Sequence, residues 1–264
     1  MARSQWSGAD RCAIAPHGYR LLLFLRFSHV MTAPSHLLIL GVSRGGTTLL
    51  ATALGAHPRI ACLDEDLTGA FNRVVGDKIR GLKLCVPNHV ELHRRWTPWC
   101  APGLWFGATR KSLTMNKVPK SRLSIADLAG FGDTQCVAVL RDPRAVVGAI
   151  GRRENRSSRV AAYRWHRSVD VADGLSSLPG RPPLIVDFDR LVQNPETVLR
   201  GLCSGMDLEF TDALLNAPSL NRRYPGSGFD ASRAGAAGSE DVDVSEWLSE
   251  TTLSTYRRLK AQSL

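Results

Sequence analysis

The sequence predicts an α/β fold built on a central parallel sheet, and three observations predict it. From His36 onward, short apolar runs alternate with segments of helical periodicity. Several of these runs end in a glycine or a polar turn that leads directly into a helix start. One such turn, GVSRGGTT from Gly41 to Thr48, joins a strand to a helix in the arrangement that receives phosphate groups. The 264 residues suit one large domain with an extension. The change of character near His36 divides the chain into an N-terminal extension, 1–33, and a folded domain, 34–264.

HLLILG, from His36, reads as a buried strand, and TTLLATALGAH as a helix that Pro58 closes. RIACLDED gives a second strand running into an acidic loop. A helix follows over Leu67–Val75, and GLKLCVPN has the composition of a strand. Trp96, Trp99 and Trp105 lie among Pro, Gly and Arg, which suits an irregular pocket wall or lid, or plain core packing. SLTMNK reads as a strand into a loop and SRLSIADLAGF as a helix. Gln135–Leu140 is a strand, and PRAVVGAIGRR a helix with Pro in its first turn. A long helix covers 158–176, PPLIVDFDRL is a strand, and NPETVLRGLCSG is a helix opened by Asn-Pro and closed near Gly205. Residues 222–244, rich in Gly, Ser and Asp, read as a mobile loop. The last helix covers 250–261.

The net charge is +10, from 34 Lys+Arg against 24 Asp+Glu. The basic residues form no long block, so an anionic small ligand explains the excess better than nucleic acid. Six cysteines, at 12, 62, 85, 100, 136 and 203, contain no CxxC pair and no zinc-ligand spacing. Scattered thiols suit a reducing cytoplasm, and no metal is expected. The apolar stretch Tyr19–Phe27 is too short to cross a bilayer and is interrupted by Arg20 and Arg26. It reads as loosely packed extension, with a signal peptide or a mitochondrial-type leader as alternatives. No integral membrane segment is expected, and the oligomeric state is not legible.

Within GVSRGGTT, Gly41 and Gly46 have the spacing of GxxxxGK[ST], but Thr47 stands where the phosphate-gripping Lys of a nucleotide hydrolase would be. The cation is Arg44, inside the loop. Phosphate binding is retained and ATP or GTP hydrolysis disfavoured. RGGTTLLATALGAHP resembles the 5′-phosphosulfate loop of sulfotransferases in the form R-S-G-T-T-L-x7-HP of the protein-tyrosine branch. The resemblance implies a P-loop-like three-layer α/β/α sulfotransferase fold and donor binding by Arg44, Gly45, Gly46, Thr47, Thr48 and Leu49. Gly45 replaces the usual Ser.

VAVLRDPRAVVGAIGRR is similar to the family's second motif, in which an Arg at a strand end grips the donor's 3′-phosphate. Arg141 takes that place, and a guanidinium suits it because it binds phosphate with two parallel hydrogen bonds. Ala149 stands where the family has Ser, and Arg153 matches an Arg that some relatives use on the same phosphate. HPRIACLDED is similar to the branch's HP-x6-E, which makes Glu65 the base, with Asp64 and Asp66 as alternatives; the flanking like charges are expected to raise its proton affinity. TMNKVPKS resembles the Asn-Lys loop, which assigns Lys117 to the bridging oxygen; Arg44 shares the charge stabilisation, and Lys120 is a weaker substitute. Ser232 and Trp247 fall where relatives close over the nucleotide, although Glu246 replaces the Lys expected before that Trp.

The resemblance thus implies a transferase that takes a sulfuryl group from 3′-phosphoadenosine 5′-phosphosulfate to a hydroxyl. Leu67 replaces an acceptor-side Arg of the tyrosine branch, and Met115 replaces the partner cysteine of Cys62. Those departures favour a bacterial-type enzyme acting on a small-molecule, lipid or sugar hydroxyl. The competing readings are a P-loop small-molecule kinase and a non-catalytic nucleotide-binding homologue.

Overall fold

A computed structural model describes residues 32–65, 77–93, 123–128, 133–221, 228–235 and 242–264. Strand β1 (His36–Val42) is apolar after His36 and buried from Leu37 to Val42, as suits a strand covered on both faces. Helix α1 (Thr47–Gly55) follows the glycine-rich turn. Strands β2 (Ile60–Asp64) and β3 (Ile79–Val86) come next. Short strands β4 (Val90–Glu91) and β5 (Leu123–Ser124) pair with each other, and one turn of helix, α2 (Ile125–Leu128), continues from β5.

Strand β6 (Thr134–Leu140) leads into α3 (Pro143–Glu154). Asp142 caps α3, accepting from the amides of Arg144 at 2.8 Å and Ala145 at 3.2 Å, and Pro143 occupies the first turn, where its missing N–H costs nothing. Helix α4 (Ser158–Gly174) is capped by Ser157. Strand β7 (Leu184–Asp187) precedes α5 (Phe188–Gln193), α6 (Pro195–Gly205), α7 (Ala213–Asn216) and α8 (Glu250–Ala261).

The main sheet has the order β2-β3-β1-β6-β7 and is parallel throughout. Alternate residues enter two cores. Leu38, Leu40, Val42, Leu84 and Ala138 pack with Val146, Trp165 and Val169 on one face. Leu37, Ile39, Val137 and Val139 pack with Leu50, Leu54, Leu199 and Leu202 on the other. Helices therefore cover both faces, giving the three-layer α/β/α arrangement.

Three readings need correction. The strand read across PPLIVDFDRL stops at Asp187, because the Asp187 carboxylate accepts from the Asp189 amide at 3.2 Å and starts α5. SRLSIADLAGF is not one helix over its described part: Leu123 and Ser124 pair with β4, and the Asp127 carboxylate holds the Ser124 amide at 2.7 Å. Within 222–244, the described stretch 228–235 is a tied turn and not a loose loop. Arg233 O accepts from Arg141, and the Gly235 amide donates to Asp189 Oδ1 at 2.8 Å. The readings over Leu67–Val75, the three tryptophans and SLTMNK lie outside the described residues, as does the extension apart from Thr32 and Ala33.

Candidate active site

The strand order reverses direction at β1. After β1 the chain crosses to β2 and β3 on one side, and after β6 it continues to β7 on the other. The crevice beyond the carboxyl ends of β1 and β6 is the topological switch point, where open parallel sheets receive ligands. The turn after β1 and Arg141 after β6 stand at that crevice. Arg141 Nη1 donates to Arg44 O at 2.9 Å across it.

The sequence of the turn suits close packing. Gly46, the N-cap of α1, has φ 98°, and no side chain caps the helix. The first amides of α1 therefore lack the side-chain acceptor that usually serves them, which leaves an anion-receptive end. A Cβ at Gly46 would lie 2.2 Å from the Phe188 ring, and one at Gly45 would lie 2.8 Å from Val42 O. The glycine in place of the family's Ser at 45 thus fits a turn too tight for a side chain. Thr47 and Leu49 are buried, whereas Thr48 is half-buried.

Arg141 is held by several groups. Its Nη2 donates to Arg233 O at 3.2 Å, its guanidinium lies 4.2 Å above the Phe188 ring, and its own carbonyl accepts from Trp165 Nε1 at 3.0 Å. Nε is buried without a partner among the described residues. Burial and the neighbouring Arg233 pull its pKa down to about 10. The Arg233 guanidinium stands 5.6 Å from the same Phe188 ring. Two guanidiniums around one ring repel each other, and an anion between them would relieve the repulsion. Ser232 spends its hydroxyl on Asp230 Oδ1 at 2.7 Å and is exposed. Arg153 is exposed on the last turn of α3, and Ala149 is half-buried.

The acidic loop behaves differently from the sequence expectation. Glu65 follows β2 with φ 55°. Its Oε1 accepts from Lys83 Nζ at 2.6 Å and from Cys85 Sγ at 3.0 Å, and Asp64 Oδ1 lies 2.8 Å from the same ammonium. Burial pushes the Glu65 carboxyl up, but the hydrogen bonds from Cys85 and Lys83 and the Lys83 charge outweigh it and hold the group below the usual carboxylate range. The expected rise is therefore corrected: the nearby cation dominates. Burial works against the Lys83 ammonium, and the surrounding Cys85, Asp64 and Glu65 raise it nonetheless. Because burial pushes the Cys85 thiol up to about 12, Cys85 is neutral at pH 7 and the carboxylates supply the compensation. His89, buried by the same strand end, accepts from the Cys85 amide through Nδ1 at 3.1 Å, and burial lowers its pKa.

His57 of the HP pair has a structural place: Nδ1 accepts from the Arg59 amide at 3.1 Å, so Nε2 carries the proton and donates to Glu209 O at 2.9 Å. A cleft of about 280 Å³ runs between α1 and β2, lined by Thr48, Thr52, Cys62, Asp64 and Asn221 among others. It runs from Thr48, at the start of α1, to Asp64, the residue preceding Glu65. The four described cysteines are free. Among the described residues no group of three or more metal-ligating side chains forms, and no helix is long and apolar enough to cross a membrane.

The structure thus brings Arg44, Gly45, Gly46, Thr47, Thr48 and Arg141 together at one crevice and sets Glu65 on the same sheet edge. Lys117, Lys120 and Asp66 lie outside the described residues. Sequence reasoning missed Lys83 and Arg233. A lone Lys inside an apolar run, GLKLCV, was the available signal: a strand buried on both faces tolerates it only beside an anion.

No family model matches the chain. Protein-tyrosine sulfotransferase A of Caenorhabditis elegans is 24% identical over 199 residues, 68% of this chain and 52% of the relative. A putative protein-tyrosine sulfotransferase of Caenorhabditis briggsae is 22% identical over 209 residues, 68% of each. The chain therefore spans about half the length of the first of these relatives. Among solved structures, the sulfotransferase domain of the Synechococcus PCC 7002 olefin synthase superposes with a TM-score of 0.56 at 18% identity, covering 88% of this chain and 97% of that domain. The chain has the sulfotransferase fold. A sulfotransferase domain from the curacin biosynthetic pathway agrees, with a TM-score of 0.51, 16% identity, and 87% and 98% coverage. The motif resemblance holds: the sequence relatives and the fold neighbours both lie in the sulfotransferase superfamily.

Proposed function

We propose that the chain transfers a sulfuryl group from 3′-phosphoadenosine 5′-phosphosulfate to a hydroxyl of a small-molecule, lipid or sugar acceptor. The observation that carries the reading is the single sheet edge bearing both an uncapped phosphate turn bridged by Arg141 and an ionised Glu65. In this scheme the donor's 5′ end meets the amides of Gly46–Leu49 with Arg44, and its 3′-phosphate meets Arg141 and Arg153. The acceptor oxygen bonds to sulfur, the bond from sulfur to the 5′-phosphate oxygen breaks, and adenosine 3′,5′-bisphosphate leaves. The acceptor's proton passes to Glu65, which Lys83 and Cys85 keep in the charged form able to receive it. Lys117, by family resemblance, supports the bridging oxygen. Thr47 in place of a phosphate-gripping Lys argues against the kinase reading.

The test supplies labelled donor with a panel of phenols, sugars, lipid hydroxyls and a tyrosine peptide. The expected result is label transfer to at least one acceptor, with loss of about a hundredfold or more in Glu65→Gln. Full activity in Glu65→Gln removes it as the base, and transfer from ATP with magnesium instead of the sulfuryl donor refutes the reaction class.

A further inference from the structure

The carboxylate of Glu154 has no part in the transfer described above, yet it touches the phosphate turn. Glu154 is the last residue of α3, where a negative charge opposes the helix dipole. Two hydrogen bonds and one longer ion pair hold it there. Ser43 Oγ donates to Oε1 at 2.9 Å, Arg44 Nε stands 3.6 Å from the same oxygen, and Arg164 Nη1 of α4 donates to Oε2 at 2.5 Å. Arg164 is mostly buried, so its charge offsets that of Glu154 under little screening, and the group formed with Arg44 keeps a net positive charge.

Arg44 is constrained at both ends. Its φ of 65° is one that side-chain-bearing residues seldom adopt, and Arg141 binds its carbonyl. The Glu154 contact engages Nε alone. Among the described residues, the terminal nitrogens Nη1 and Nη2 have no acceptor. Those two nitrogens form the fork with which an arginine grips phosphate or sulfate.

We infer that Glu154 is a positioning residue of the donor site: it ties Ser43 and the Nε of Arg44 to α4 through Arg164, so that the guanidinium fork is ordered before the anion arrives. The inference rests on the donor reading above. A carboxylate so close to an anion site would by itself repel the ligand, and Arg164 removes that penalty. Ordering a long side chain in advance lowers the entropy lost on binding.

A double-mutant cycle read by calorimetry with adenosine 3′,5′-bisphosphate tests it. Glu154→Gln is expected to weaken binding about threefold to tenfold, the loss of a charge-assisted contact, and to have no further effect in Arg44→Ala. An equal loss in both backgrounds makes Glu154 merely structural and overturns the inference. A gain in affinity identifies it as a competing anion and overturns it as well. Ser43→Ala, which strands no charge, should act in the same direction by about twofold and serves if Glu154→Gln does not fold. Wild-type protein that fails to bind the bisphosphate refutes the donor reading itself, and the inference falls with it; binding by wild type with unchanged variants refutes the inference alone.

Discussion

Replacing Lys83 by methionine keeps the stem of the side chain and removes a buried ammonium. The ammonium lies 2.6 Å from Glu65 Oε1 and 2.8 Å from Asp64 Oδ1, and its own side chain is 4% exposed. Removing one partner of a fully buried ion pair costs about 3–5 kcal/mol. Here the two carboxylates are 29% and 39% exposed, so water recovers part of that, and about 2 kcal/mol is the reasoned loss. At about 2–4 °C per kcal/mol for a chain of this size, Tm should fall by about 4–8 °C at pH 7. The pH dependence has a definite sign. In the wild type the Glu65 pKa is lowered, so its contribution is present above the unfolded value of about 4.3 and is lost as pH falls through the folded value. In Lys83→Met, burial and Asp64 act unopposed by the ammonium, and the Glu65 charge becomes a liability above that same value. The difference in Tm should therefore narrow as pH drops from 7 to below about 4. Thermal melts followed by circular dichroism across that range measure it. A Tm within one degree of wild type, or a difference independent of pH, would refute the coupling of Lys83 to these carboxylates.

Gly46→Ala should lower stability by about 1–3 kcal/mol, since it combines φ 98° with a Cβ 2.2 Å from the Phe188 ring; an unchanged melt would contradict the described turn. Ala149→Ser restores a hydroxyl on the half-buried face of α3 and should tighten adenosine 3′,5′-bisphosphate binding about threefold to tenfold, read by calorimetry; no change would mean that this face does not meet the 3′-phosphate.

The legible parts of the chain are those in which local chemistry decides the outcome. The unbroken apolar run of β1, the Asp-Pro start of α3 and the Asn-Pro start of α6 each state their own structure, and the structure agrees. The glycine-rich turn between β1 and α1 is legible for the same reason, since its glycines and helix start are contiguous. What failed depends on distant partners. β7 ends early because Asp187 caps α5, a competition between strand and cap that hydrophobic pattern does not report. The direction of the Glu65 pKa is not legible from its sequence neighbours, because the deciding cation sits eighteen residues away on β3. Arg233 is not legible beside Ser232, because nothing local marks which of two adjacent residues meets Phe188 and Arg141. Glu154 reads as one more charge on a basic helix end until α4 brings Arg164 to it.

The most direct test of the account is a calorimetric titration of the full chain with adenosine 3′,5′-bisphosphate, set against ATP with magnesium, for wild type and Arg141→Ala. The account predicts one bisphosphate bound per chain in preference to ATP, with affinity reduced about tenfold to a hundredfold in Arg141→Ala. Equal or tighter binding of ATP with magnesium, or bisphosphate affinity untouched by Arg141→Ala, would contradict it.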